Sequence, residues 1–414
     1  LRASSVLIKS SQQATQYFYL MVNPDAVLQL ELDTRQHQSR YRQRKLLQSP
    51  QGVEVLVDGK RCLGFSSNDY LGLANHPALI AAFQQATNRY GVGSGASHLV
   101  SGHGAEHEAL EEELAEFTGR PRALLFSTGY MANVGMIRAL MSHGDLVVQD
   151  KLNHASLLDG GFLCRAQFER YTHGDITAAQ VLLAGTSAQR KLLATDGVFS
   201  MDGDLADLPA LADIADQNNA WLLVDDAHGF GVLGASGRGI CEHFAMDLNR
   251  LPILVGTLGK SFGTFGAFVA GSETLIESLI QFARTYIYTT ALPPAVAAAT
   301  RAALTLIDSE SWRREKLQFL IAHFQQGAAE RGIPVMASPT PIQPVLIGDD
   351  ESVIKIGEYL LKAGFWTGAI RPPTVPEGSA RLRITLTAEH DVKQLDALLD
   401  TLALALKNIG IDSL

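Results

Sequence analysis

The chain has 414 residues, of which 46% are hydrophobic and 19% are charged, and its formal net charge is −9. This composition is typical of a globular enzyme large enough for two domains, and the negative charge, without any basic run interleaved with aromatic residues, argues against a nucleic-acid partner. No apolar run reaches the roughly eighteen residues of a membrane-spanning helix, and three cysteines without metal-ligand spacing (Cys62, Cys164 and Cys241) are expected to be buried thiols of a cytoplasmic protein.

The N-terminal part of the chain divides into two predicted segments. Residues 1–20 are rich in Ser and Gln, lack the apolar core of a signal peptide, and are expected to be a disordered extension. Residues 21–65 are expected to form a helix over Ala26–Leu47 and then a β-hairpin of Val53–Val57 with Arg61–Phe65, because a tight Asp-Gly turn separates the last two runs.

Residues 66–300 are expected to form a large α/β domain. Short apolar runs alternate there with helical patterns such as Leu205–Asn218, which is typical of a mostly parallel sheet covered on both faces. The predicted strands are Ala123–Phe126, Leu146–Val148, Lys191–Ala194, Trp221–Val224 and Ile253–Val255. Ligands bind such sheets at the carboxyl ends of the strands, where Asp196, Asp225 and Thr257 stand.

Residues 301–414 are expected to form a smaller C-terminal domain. A mainly helical region over Glu273–Gly332, interrupted at Pro293–Pro294, leads into it. Its predicted elements are a strand at Pro344–Ile347, a helix at Ser352–Ala363, a strand ending at Ile370, a strand at Arg381–Thr385 and a last helix with a leucine stripe.

Two neighbouring motifs indicate the chemistry. Thr257–Gly263 places Lys260 among small residues after an apolar run, and Trp221–His228 ends a buried strand with Asp225. A lysine that forms a Schiff base and a carboxylate that keeps a pyridine nitrogen protonated are the protein's part of pyridoxal-phosphate chemistry. Taken singly, they could be a surface lysine and a strand-end cap, and His228 could be a core histidine. Their order and their spacing favour the cofactor site.

Two further segments suit the same cofactor. Ser127–Asn133 has the pattern of a strand, a small-residue turn and a helix, and the free N–H groups of a helix N-terminus can hold a phosphate. In Asn153–Ser156, the imidazole of His154 could stack on a flat ring. The alternatives are an ordinary strand-to-helix turn and a helix capped by Asn153.

Two other patterns suggest different functions and are disfavoured. Gly91–Ala96 resembles a dinucleotide fingerprint, but it follows the helical pattern Pro77–Arg89 rather than a strand. His98, His103 and His107 could suggest a metal site, but no HExxH motif is present, and we expect none.

Together these motifs resemble the α-oxoamine synthase family of fold-type I pyridoxal-phosphate enzymes. The resemblance runs from about Asp33 to the C-terminus, and it implies an α/β fold with a large domain of mostly parallel sheet and a smaller α+β domain. The segments that carry it are Ser66–Leu73, Gly93–Ser97, Leu110–Ala115, Asn153–Ser156, Asp196–Gly203, Val224–Gly229 and Arg371–Pro376.

The resemblance implies roles for single residues. Lys260 would form the Schiff base and transfer the proton, Asp225 would pair with the pyridine nitrogen, and His154 would stack on the ring. The other implied cofactor contacts are those of Ser200 and His228 on the ring-hydroxyl side and of Gly129, Tyr130 and Thr257 with the phosphate.

The resemblance also implies a substrate site and a homodimer. Arg383, with Arg371 as a second candidate, would bind the amino-acid carboxylate, and Arg42 and Thr374 would lie along the path of the acyl group. The segments that would neighbour the site across a dimer interface contain Asn68 and Tyr288–Thr290.

Within the family, Arg371–Pro376 and Tyr41–Arg44 are most similar to the segments of members that condense L-alanine with a pimeloyl thioester and release CO2. Coenzyme A and a carrier protein remain alternative acyl carriers. Members that join glycine to an acetyl or succinyl group, or serine to a palmitoyl group, are the alternatives within the family. A non-catalytic scaffold is disfavoured because Lys260 is present, and a dehydrogenase because of the context of Gly91–Ala96.

Overall fold

A computed structural model describes residues 23–408, so the predicted extension at residues 1–20 lies outside the described part. The elements of the first half are α1 (Pro24–His37), β1 (Glu54–Val57), β2 (Lys60–Phe65), α2 (Pro77–Tyr90), a π-helical turn (His98–Gly102), α3 (Ala105–Thr118), β3 (Arg122–Phe126), α4 (Gly129–Leu140), β4 (Leu146–Asp150), α5 (Ala155–Leu163), β5 (Gln167–Tyr171), α6 (Ile176–Ala184) and β6 (Lys191–Asp196). The elements of the second half are α7 (Leu208–Gln217), β7 (Trp221–Asp225), α8 (Ile240–His243), β8 (Ile253–Thr257), β9 (Ala267–Gly271), α9 (Glu273–Phe282), α10 (Arg284–Ile287), α11 (Pro294–Ser309), α12 (Trp312–Glu330), β10 (Ile342–Gly348), α13 (Asp350–Lys362), β11 (Phe365–Ile370), β12 (Ala380–Thr385) and α14 (Val392–Asn408).

A seven-stranded sheet of order β3-β9-β8-β7-β6-β4-β5 forms the centre of the molecule. Strands β8, β7, β6, β4 and β5 are parallel, and β9 runs antiparallel to both β8 and β3. The prediction of a mostly parallel sheet is confirmed, and all five predicted strands are present. The sequence patterns missed two strands. The edge strand β5 is largely polar, and β9 directly follows the loop after β8.

The apolar runs are continuous because both faces of this sheet are covered. Leu222 and Val224 belong to the core on one face, whereas Leu223 between them belongs to the core on the other face. Successive side chains of a strand point to opposite faces, so a strand covered on both sides buries every residue. Burying each such side chain stabilises the fold by about 1.5–3 kcal/mol before entropy is counted.

The second sheet, of order β1-β2-β11-β12-β10, joins the two ends of the chain. The predicted hairpin is confirmed: β1 and β2 pair antiparallel, and Asp58 and Gly59 have φ of 48° and 76°, as a two-residue type I′ turn requires. Strand β2 then pairs in parallel with β11, so the N-terminal hairpin extends the sheet of the C-terminal strands. The C-terminal helices and strands lie where they were predicted.

The predicted N-terminal helix was too long. Helix α1 ends at His37, and Ser39 has a φ of 57°, which ends helical geometry. The basic residues beyond it are used in tertiary contacts: Arg40 pairs with Asp350 at 3.2 Å and with Glu377 at 2.6 Å. The helical pattern therefore continued in the sequence after the backbone had left the helix.

The three cysteines are buried and free, as predicted. None of the helices within residues 23–408 combines the length and the apolar composition needed to cross a membrane.

Candidate active site

The carboxyl edge of the central sheet gathers the predicted cofactor residues. Asp225 ends β7, Asp196 ends β6, His154 follows β4, and Lys260 lies in the loop after β8. Because these strands are parallel neighbours, their ends lie side by side, and residues more than a hundred positions apart in sequence meet at one edge.

Lys260 is half-buried, and its Nζ lies 2.7 Å from Nε2 of His228. Burial lowers the pKa of this amine from 10.5 to about 8, although the nearby carboxylates of Asp225 and Asp196 act in the opposite direction. A lysine with this pKa is partly neutral near physiological pH, and the neutral amine is the form that attacks a carbonyl.

His228 connects Lys260 to a buried polar network. Its Nδ1 lies 2.7 Å from the hydroxyl of Tyr70, and Arg383 donates from Nη2 to that hydroxyl at 3.4 Å and to Asn68 Oδ1 at 3.1 Å. Burial and the nearby cations of Lys260 and Arg383 hold the pKa of His228 well below its usual value, so its ring is neutral. A neutral imidazole carries one N–H, on either Nδ1 or Nε2. Which nitrogen carries the proton decides whether His228 donates to or accepts from the Lys260 amine, and the Tyr70 hydroxyl orients to match.

Asp225 is buried and receives two hydrogen bonds. Asn133 Nδ2 donates to its Oδ2 at 2.6 Å, and the backbone N–H of Ala227 donates to its Oδ1 at 3.0 Å. These bonds compensate part of the cost of removing a carboxylate from water and orient it. Asn133 Oδ1 itself is buried without a hydrogen-bond partner among the described residues.

His154 forms the wall next to Asp225. It caps α5 with Nδ1, which lies 2.7 Å from Ser156 Oγ, and its backbone N–H donates to Asp196 Oδ2 at 2.7 Å. Burial lowers the pKa of His154, so a neutral flat ring faces the cleft. Burial, with the charge of Asp225, raises the pKa of Asp196 well above its usual value.

The alternative in which Asn153 caps this helix is wrong. Asn153 is buried: its amide donates to the Ala194 carbonyl at 2.9 Å and accepts from Asp196 N at 3.1 Å. It therefore ties the loop after β4 to β6.

The opposite end of the cleft suits a phosphate. Gly129 and Tyr130 begin α4, where the first N–H groups have no intrahelical acceptor, and Thr128 caps the helix by accepting from Met131 N at 3.1 Å. Space is open at Gly129, where an added Cβ would have no neighbour within 4 Å. Thr257 Oγ1 donates to the Gly266 carbonyl at 3.1 Å, so its hydroxyl would have to turn toward a phosphate.

These residues fit pyridoxal phosphate. A half-buried amine, a buried carboxylate with fixed orientation, a flat imidazole and an open helix N-terminus are the partners that its aldehyde, pyridine nitrogen, ring and phosphate require. One orphaned atom supports the fit: Oδ1 of Asn133, whose amide donates to Asp225, is buried without a partner among the described residues.

The predicted substrate residues separate into two groups. Arg383 lies in the network beside Lys260, and its Nε donates to the Ser200 carbonyl at 2.6 Å. Arg371 instead donates to two backbone carbonyls of the N-terminal segment, at 2.7 Å and 3.0 Å. Arg42 donates to Thr374 at 3.2 Å, and both line a cavity of about 570 Å³ that also contains His154 and Ser200.

The segments predicted to face a partner subunit lie in different places. Asn68 lies in the site of its own chain, beside Arg383. Tyr288 is 70% exposed. Thr290 forms a β-bridge with Ser97, at the edge of the segment Gly91–Ala96, which we call the glycine-rich loop. Val92 in this loop is 83% exposed. The glycine-rich loop follows α2 and leads into the π-helical turn, a context that does not suit a dinucleotide fingerprint.

The histidine cluster forms a hydrogen-bonded chain. His103 lies 2.8 Å from His98 and 2.8 Å from Glu108, and His107 contacts the Leu292 carbonyl at 2.6 Å. These contacts join the π-helical turn to α3. The ligand atoms of His103, Glu108 and Glu111 lie within 4.8 Å of one another, and the absence of a metal site here stays a prediction.

Two residues of the candidate active site, Tyr70 and Asn133, were not predicted from the sequence. Tyr70 and Asn133 lie within motifs that had been noticed, but their partners His228 and Asp225 are 158 and 92 positions away. The available signal was a polar side chain within an otherwise buried segment.

Comparison with known proteins agrees with this geometry. The sequence model of the family "Aminotransferase class I and II" matches residues 60–402. The 8-amino-7-oxononanoate synthase of Cellvibrio japonicus is 61% identical over 390 residues, which cover 94% of this chain and 98% of that protein. Among solved structures, the Sphingomonas wittichii serine palmitoyltransferase superposes with a TM-score of 0.89 at 30% identity, covering 95% of this chain and 99% of that one. The Francisella tularensis 8-amino-7-oxononanoate synthase superposes with a TM-score of 0.74 at 33% identity, covering 84% and 98%.

Proposed function

The chain belongs to the class I and II aminotransferase family, and we propose that it catalyses the pyridoxal-phosphate-dependent condensation of L-alanine with a pimeloyl thioester. The products are 8-amino-7-oxononanoate, CO2 and the free thiol of the acyl carrier, a step of biotin biosynthesis. The observation that carries this proposal is the 61% identity over almost the whole length of a synthase of this name, in a chain whose Lys260 amine, Asp225 and His154 share one cleft.

A direct assay tests the proposed reaction. We expect L-alanine and pimeloyl-coenzyme A to give a product with the mass of 8-amino-7-oxononanoate. Glycine with acetyl- or succinyl-coenzyme A is expected to react far more slowly. A preference for either glycine pair would assign the chain to another branch of the family.

The cofactor is pyridoxal phosphate, and when bound it withdraws electrons from the α-carbon of the amino acid. Lys260 would hold its aldehyde, Asp225 its pyridine nitrogen, and His154 the face of its ring. The phosphate would lie at the N-terminus of α4 against Gly129 and Tyr130, with Thr257 beside it. Ser200 and His228 would border the ring-hydroxyl side.

Lys260 would move the proton at the α-carbon of the substrate. Its pKa of about 8 lets the amine accept a proton and return it without a large free-energy penalty. The neutral His228, fixed by the hydroxyl of Tyr70, would orient the amine through its Nε2.

Arg383 is the better candidate for the L-alanine carboxylate. It is only 7% exposed and lies one hydrogen bond from Tyr70, whereas Arg371 is held by backbone carbonyls away from the cleft. Asn68 Oδ1 accepts from Arg383 and would fix the plane of the guanidinium for a bidentate contact. Arg371 would therefore hold the N-terminal segment that borders the acyl path, and it would not bind the amino acid.

The acyl group would enter through the cavity of about 570 Å³. Arg42 and Thr374, joined by their hydrogen bond, form one wall, and His154 lies on the inner side. This arrangement would bring the thioester to the α-carbon above the ring while excluding much of the surrounding water.

We further propose a homodimer that works in the cytoplasm. Large apolar side chains are exposed together around the glycine-rich loop and Tyr288, as expected of a surface that a second copy covers. The buried free cysteines suit a reducing compartment.

A further inference from the structure

Two cations without partners line the outer part of the acyl cavity. Lys151 follows β4 and Arg170 lies in the edge strand β5, and both are exposed at the cavity that also contains Arg42 and His154. Neither side chain forms a hydrogen bond or an ion pair with another described residue. By contrast, Arg190 before β6 pairs with Asp145 at 2.6 Å. On a chain of net charge −9, two unpaired cations at the mouth of a substrate cavity are a local attraction for an anion.

The order of the strands gives the lateral separation between the strands that carry these cations and the strand that leads to the reacting lysine. Lys260 follows β8, and β4 and β5 are the third and fourth strands from it. With about 4.8 Å between strands, these separations are about 14 Å and about 19 Å.

The acyl donor carries two anionic groups at different distances from its reacting carbonyl. From standard bond lengths, the seven-carbon acyl chain places its distal carboxylate on the order of 8 Å from the reacting carbonyl, whereas an extended pantetheine arm places its phosphate on the order of 15–20 Å away. The separations of the strands that carry Lys151 and Arg170 are closer to the depth of the phosphate than to that of the carboxylate.

We propose that Lys151 and Arg170 bind the phosphate at the end of the phosphopantetheine arm of the acyl donor. A guanidinium presents two parallel N–H groups to phosphate oxygens, and the ammonium adds a second point of charge. This phosphate is shared by coenzyme A and by an acyl carrier protein, so the subsite serves either donor. The inference rests on the proposed function, because it assumes that a thioester of this kind enters the cavity.

The test compares two donors that differ only in the phosphate. KM and kcat would be measured for pimeloyl-phosphopantetheine and for pimeloyl-pantetheine with the double variant Lys151→Ala/Arg170→Ala. We expect KM for the phosphorylated donor to rise on the order of tenfold or more, with KM for the other donor and for L-alanine unchanged. Arg138→Ala, an exposed arginine of α4 that does not line the cavity, is the matched control and should change neither value.

The other outcomes contradict the proposal. An equal rise in KM for both donors would assign the cations to the distal carboxylate, and an unchanged KM for both would leave them without a role in binding. Pimeloyl-coenzyme A and the pimeloyl carrier protein should both be weakened by the double variant. A loss with pimeloyl-coenzyme A alone would assign the cations to its nucleotide phosphates instead.

Failure of the proposed function would be visible separately. In that case the wild-type enzyme would turn over none of these pimeloyl donors. The subsite would still be tested by calorimetry with phosphopantetheine and pantetheine, where equal affinities for the wild-type enzyme would overturn it.

Discussion

At the scale of single residues, Lys260 depends on its surroundings for its reactivity. Its amine lies 2.7 Å from a neutral histidine, and burial brings its pKa to about 8. Three experiments test this site: substitution of Lys260, the pH dependence of cofactor attachment, and substitution of Asp225.

The variant Lys260→Ala should bind pyridoxal phosphate without a covalent link and lose roughly three or more orders of magnitude in turnover, because one side chain supplies both the attachment and the base. Borohydride reduction and peptide mass mapping measure the attachment. Lys355→Ala, on the exposed face of α13, is the control and should retain the label on Lys260. A label on any other lysine would contradict the assignment.

The pH dependence of cofactor attachment follows from the lowered pKa. The neutral amine is the reactive form, so the rate of attachment to the apoenzyme should rise about tenfold per pH unit below pH 8 and level off above it. Stopped-flow absorbance would record this rate. An inflection near the ordinary lysine value of 10.5 would show that the cleft does not depress the pKa.

Asp225→Asn should fold but remove the α-proton of L-alanine more slowly. A neutral amide loses a charge-assisted hydrogen bond of about 1.5–3 kcal/mol, which corresponds to a rate roughly tenfold to a hundredfold lower. Exchange of the α-hydrogen in deuterated water measures the step.

The neighbouring Asp226→Asn is the control for this experiment. Burial raises the pKa of Asp226 well above its usual value, and its Oδ2 accepts from Ile240 N at 2.7 Å. An amide preserves that arrangement, and exchange should be almost unchanged. Equal losses in the two variants would mean that Asp225 acts only as a strand-end cap.

Lys260, Asp225 and His154 could be proposed from the sequence because each stands at the end of an apolar run or within a short motif. Tyr70 and Asn133 could not be, since their importance comes from partners across the fold. The contact of Asn68 with Arg383 could not be foreseen for the same reason: the motif of Asn68 is local, but this contact spans 315 positions. The choice between Arg371 and Arg383 likewise needed the structure.

At the scale of elements, local patterns succeeded where a run or a periodic stripe of large apolar residues marks the buried face. They failed for α1, which has no buried residue, because no packed face marks where it ends. They also failed for β5 and β9, where a polar edge and a run of small residues do not show the pattern of a strand.

The loop after β8 depends on a glycine at position 263. Its φ is +67°, and an added Cβ would lie 2.5 Å from the backbone N of Ala74. Gly263→Ala should therefore lower the free energy of unfolding by about 1–3 kcal/mol, measured by urea denaturation.

Gly259→Ala, in the same loop, is the matched control. The nearest atom to its added Cβ would be 3.6 Å away, so little loss of stability is expected. Equal destabilisation of the two variants would show that the loop is sensitive to any side chain and not to the close approach at position 263.

At the scale of the whole molecule, the two sheets bring sequence-distant segments to one cleft. Strand β2 joins the C-terminal strands through β11, so Asn68 and Tyr70, which follow β2, arrive beside Arg383 on β12. The central sheet supplies Lys260 and Asp225. The site is thus complete only when both ends of the chain have folded onto the same sheet.

A shared site in the proposed homodimer would add a segment from the second copy. The exposed Tyr288 and the nearby Thr290 lie at the edge of the glycine-rich loop, and the Thr290 carbonyl accepts from Ser127 Oγ at 3.2 Å. In a twofold-symmetric pair, such a surface on one copy would lie against the other copy's site, and each site would need both chains.

Mixing two inactive variants tests this arrangement. Lys260→Ala lacks the amine, and Thr289→Trp would obstruct the segment that is proposed to reach the neighbouring site. In a mixed dimer, the Thr289→Trp chain keeps its own lysine and receives a wild-type segment from its partner. Random exchange should therefore restore roughly a quarter of wild-type activity, since about half of the dimers are mixed and each has one intact site. If exchange is verified by mass spectrometry, each variant alone is inactive and no activity returns, then each site belongs to a single chain.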